Sequence, residues 1–145
     1  MPVTDDQVAA LRAYLADDLD QHRQRYAQLE RQAARSGYTA LLVAAFVEAV
    51  NRRFAQAGTA ADVIEFVADL RGRSEALGEA IEPRAAERLI RAALTDEDIE
   101  DLDERAKGRL YVVLLAGLIG DEQLSDDGLD EFLAEARKLA DEWLR

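Results

Sequence analysis

TALLVAAFVEAVNRRFAQA (residues 39–57) and LYVVLLAGLI (residues 110–119) are the two stretches whose reading decides the fold. In the first, Leu41, Leu42, Val43, Phe46, Val47, Val50 and Phe54 cover most of the circumference of a helix. The second is apolar all round, yet its ten residues fall well short of the roughly 18–20 that a bilayer crossing needs. Helices without a polar face belong in the middle of a bundle. These two segments therefore predict a helical protein with two central helices.

Outward from them, the sequence punctuates further helices. Thr4 and Gln7 have the spacing of a capping box. They open a first predicted helix over Asp5–Ser36, with Gly37 as its left-handed stop. Its stripe is Val8, Leu11, Leu15, Leu19, His22, Tyr26, Leu29 and Ala33. The second helix, Thr39–Ala57, stops at Gly58; Thr59 caps a third that buries Val63, Phe66, Val67 and Leu70 and ends at Gly72. Residues 73–82 contain Gly78 and read as a loose, mobile loop. Pro83 suits the first position of a fourth helix, where a missing N–H costs nothing, with Ala86, Leu89, Ile90 and Ala93 facing inward. Thr95 caps a short acidic turn, a fifth helix runs from Asp103 to Ile119 with Gly120 as stop, and Ser125 caps a sixth. That last helix directs Leu129, Phe132, Leu133, Ala136, Leu139 and Trp143 to the core. No stretch alternates as a half-buried strand would. The expected fold is all-α: a single domain over residues 1–145, a bundle of about six mostly antiparallel helices with the second and fifth central.

Composition narrows the chemistry. Apolar residues make up 49% of the 145, enough for a packed core, and there is no cysteine, which excludes disulfides, thiolate metal sites and thiol nucleophiles. The start, MPVTDDQVAALRAYL, lacks the basic and then apolar pattern of a secretory leader. A cytoplasmic protein without membrane association is expected. The hydroxyls of Ser36, Ser125, Thr4, Thr39, Thr59 and Thr95 fall at predicted helix boundaries, where capping explains them. His22, the one histidine, sits on the apolar stripe and reads as a ring at the core's edge, held by Asp18 or by a backbone carbonyl. The acids at 96–104 lack the turning glycine of a calcium loop, and around Gly128 the first ligand position would be Gln123. No nucleotide-binding glycine loop occurs. No catalytic, cofactor-binding or metal-ligating residue is assigned, and no cofactor is expected.

Two surfaces remain. The net charge is −12, and residues 96–145 hold sixteen acids against six bases. Such a face repels nucleic acid and attracts a basic partner; Asp96, Glu97, Asp98, Glu100, Asp101, Asp126 and Asp127 are its candidate residues. The second surface follows from the first predicted helix. About 31 residues would span roughly 46 Å, more than the diameter of roughly 38 Å of a spherical domain of this size. The overhanging stripe Tyr26, Leu29, Ala33 then predicts a homodimer, unless the helix breaks near Asp17–Asp20 or an elongated domain covers it.

LAGLIGDEQLSDDGLDEFLAEA (residues 115–136) resembles the helix–acidic loop–helix unit of TerB-like tellurite-resistance domains over these 22 residues. Glu122 replaces that unit's glycine and Gly128 stands where its glutamate would fall, so the resemblance implies no site. The expected function is non-enzymatic: a small regulatory, adaptor or immunity-type protein that binds another protein. Two alternatives stay open. One is a DNA-binding regulator using Arg52, Arg53, Arg71 and Arg73; the other is a metal-binding protein or enzyme that uses carboxylates alone.

Overall fold

A computed structural model describes residues 2–31, 35–54, 60–95 and 97–145. These form eight helices: α1 (Asp5–Leu15), α2 (Leu19–Arg31), α3 (Arg35–Phe54), α4 (Ala60–Gly72), α5 (Glu75–Ala80), α6 (Pro83–Leu94), α7 (Glu104–Glu122) and α8 (Asp126–Trp143). There is no strand among the described residues. The all-α class holds, with eight helices in place of six. The chain divides into two compact units, one of residues 1–48 and 119–145, the other of residues 49–118. The helices expected to be central, α3 and α7, are the two that contribute residues to both units.

In the first unit the Thr4–Gln7 capping box forms as expected: the Gln7 N–H donates to Thr4 Oγ1 at 3.2 Å and the Thr4 N–H to Gln7 Oε1 at 2.8 Å. The long first helix does not. It stops at Leu15, and Asp17 takes a left-handed conformation (φ 62°). Asp18 then caps α2, its Oδ1 accepting the Gln21 N–H at 3.2 Å. Aspartate is a weak helix former that caps well and tolerates the left-handed region, so the Asp17–Asp20 run wins over the apolar stripe. α2 packs back on α1. The dimer expectation loses its geometric premise, because there is no overhanging rod. Leu29 is fully buried, Tyr26 is half-buried with its ring edge-on to Tyr38 at 5.3 Å, and Ala33 lies outside the described residues.

Gly37 ends nothing; it lies inside α3. A Cβ there would stand 2.5 Å from Gln7 Nε2 and 3.0 Å from its Oε1. Gln7 is the buried polar residue of this unit and its amide is engaged in the cap. The glycine is thus required by a close approach, not by a turn. Ser125 caps α8 as expected, its Oγ accepting the Gly128 N–H at 3.0 Å, and Leu129, Phe132, Leu133, Ala136 and Ala140 are buried. Trp143, expected in the core, is 47% exposed because the buried face of α8 ends at Ala140. α8 also holds the segment before α1. The Val3 N–H donates to Asp141 Oδ1 at 2.7 Å, and Arg137 donates to the Val3 carbonyl at 2.6 Å and to Asp5 at 2.7 Å.

In the second unit α4 buries Val63, Phe66, Val67 and Leu70 as its spacing predicts. Gly58 and Thr59 lie outside the described residues. The stretch expected to be a loose loop contains α5: Ser74 caps it by accepting the Leu77 N–H at 3.1 Å. Arg71 ties the stretch down by donating to the carbonyls of Ile81 (2.8 Å) and Gly78 (3.1 Å). Pro83 occupies the first turn of α6, and the Glu82 carboxylate accepts from Arg84 and Ala85 N–H groups. Thr95 closes α6 rather than opening a new turn, since its N–H and Oγ1 both donate to the Arg91 carbonyl. Asp103 caps α7. That helix runs past Gly120 and ends at Glu122, before a left-handed Gln123 (φ 53°).

Gly37→Leu tests the close approach. Forcing a side chain against the Gln7 amide should destabilise the chain by about 1–3 kcal/mol, the usual range for overpacking. Urea denaturation followed by circular dichroism measures it, and an unchanged midpoint would mean that the Gln7–Gly37 contact is not tight.

Candidate functional site

The acids expected to face a partner fall in both units. Glu97, Asp98, Glu100 and Asp101 belong to the second unit, Asp126 and Asp127 to the first, and Asp96 lies outside the described residues. In the second unit two of these four acids, Glu97 and Asp101, pair with cations. Arg88 grips both oxygens of Asp101 at 2.7 and 2.9 Å, donates to the Asp98 carbonyl at 2.9 Å, and approaches Glu97 at 3.9 Å. Arg91 donates to Glu97 at 3.1 Å. The Asp98 side chain accepts the Glu100 N–H at 2.9 Å, which shapes the turn. The hydrogen bond from Arg88 holds the Asp101 carboxyl below the ordinary 3.8. Bidentate guanidinium–carboxylate pairs are the strong members of their class, and here they fold an acidic turn onto α6.

In the first unit the acids frame a cleft of about 340 Å³ where the α1–α2 turn faces the α7–α8 turn. Ile119 and Leu129 are its buried floor, and Leu15 and Leu124 are half-buried walls. Asp17 stands on one rim and Asp126 on the other, with Gln123 and Gly120 beside them. The Asp126 side chain is 94% exposed. Arg12 reaches these acids from α1, donating to Asp130 at 2.6 Å and approaching Asp126 at 3.7 Å. Asp17 and Gln123 are the two non-glycine residues with positive φ among those described, and both line this cleft. Strained backbone persists only where its surroundings hold it, and it clusters at functional sites. Gln123 turns its amide back to donate to the Gly120 carbonyl at 3.0 Å.

His22 has the structural place its sequence position suggests, held by a carbonyl and not by Asp18. Its Nδ1 lies 2.8 Å from the Ala10 carbonyl. A carbonyl only accepts, so Nδ1 carries the proton. Tyr14 and Tyr26 flank the ring at 5.3 and 5.8 Å. Burial, reinforced by Tyr26 and Tyr14, pushes the Tyr38 hydroxyl far above its ordinary 10, so it stays protonated. Among the described residues no three His, Asp or Glu side chains gather as metal ligands would, and no helix is long and apolar enough to cross a membrane.

The arginines singled out for nucleic acid each make a contact within the chain, and Arg52, Arg53 and Arg73 are exposed. Arg71 binds backbone carbonyls, Arg73 pairs with Asp69 at 2.7 Å, and the Arg53 guanidinium lies 5.1 Å over the Phe66 ring; Arg52 also has an interaction within the chain.

No family model, curated protein or solved structure matches the chain.

Sequence reasoning singled out Asp126 but missed the cleft, because its two turns are far apart in the chain. The Asp17–Asp18 pair was the one local signal of the corner.

Two outcomes test this geometry. The Arg88→Met protein should return the Asp101 carboxyl to its ordinary range, readable by carbon-detected NMR titration. Because the folded pKa of Asp101 is depressed, the pair contributes stability above the unfolded value near 3.8 and loses it as pH falls through the folded value. The Arg88→Met and parent proteins should therefore converge in stability on acidification. For the cleft, left-handed backbone costs a non-glycine residue about 1–2 kcal/mol, partly offset by the greater unfolded-state freedom of glycine. Gln123→Gly should raise stability by about 0.5–1 kcal/mol in urea denaturation, and a loss would show that Gln123 is not strained.

Proposed function

We propose that this chain is a non-enzymatic protein that acts by binding a basic protein partner, and that the partner approaches the first unit around the α7–α8 turn. One observation carries the reading. Glu97 and Asp101 of the 97–101 turn are held by Arg88 and Arg91 at 2.7–3.1 Å, whereas the first turn of α8 presents Asp126 and Asp127 exposed, with Arg12 3.7 Å from Asp126. Residues 119–131 hold six acids and no base. A net negative field of this kind steers an oppositely charged partner and raises its rate of encounter.

Affinity capture from the source cell supplies the partner, and stopped-flow kinetics tests the reading. Raising salt from about 50 to 500 mM should slow association at least tenfold, because the Debye length falls to about 4 Å. Asp126→Lys with Asp127→Lys should slow it further, and Asp98→Asn should not. An association rate that ignores salt refutes the proposal.

A further inference from the structure

We draw no further inference here: the strongest candidate, the surface patch of α8 that carries the exposed Trp143 and the exposed acids Asp127, Glu131 and Glu142, continues the acidic face already described, and nothing in the structure shows what covers it.

Discussion

At Asp17 the backbone turns left-handed, and at Asp18 a carboxylate caps the helix that follows. The first unit depends on that reversal. It returns His22 to the Ala10 carbonyl and lines up the rings of Tyr14, His22, Tyr26 and Tyr38. It leaves Leu15 and Asp17 at a corner, where they meet the α7–α8 turn and make the cleft. A continuous helix would have no corner there and no cleft. The strain of one left-handed aspartate, about 1–2 kcal/mol, is small beside the burial of Leu11 and Leu29 that the hairpin permits, where each fully buried leucine contributes roughly 1.5–3 kcal/mol.

The acidic composition serves two purposes. In the second unit carboxylates are structural cement: Asp101 and Glu97 fix a turn to α6 through Arg88 and Arg91. In the first unit Asp126 and Asp127 stand in solvent at the start of α8, where the helix dipole favours them. Net charge counts both groups alike, although the Asp126 side chain is 94% exposed and that of Glu97 34%.

What was legible in the sequence was local. Thr4, Pro83 and Ser125 open helices where expected, and Gly72 closes one, because capping depends on a few adjacent residues. Long-range placement was not legible. The stripe from Val8 to Leu29 serves equally a rod or a hairpin whose two arms face one core, and periodicity does not distinguish them. Gly37 looked like a stop because its close neighbour, Gln7, belongs to another helix. Ser74 was passed over as loop although its hydroxyl caps α5. The cleft joins turns that no local pattern relates, so of its residues only Asp126 was a candidate partner contact beforehand.

The clamp on Val3 by Asp141 and Arg137 gives synthesis an order. The second unit is one unbroken stretch, residues 49–118, whereas the first joins residues 1–48 to residues 119–145. A ribosome delivers the second unit complete while the first still lacks α8. At about 5–20 residues per second, α1 waits several seconds for α8, the helix it packs against. The polar ties at residues 3, 5, 137 and 141 form only once α8 has been made, after every residue of the second unit.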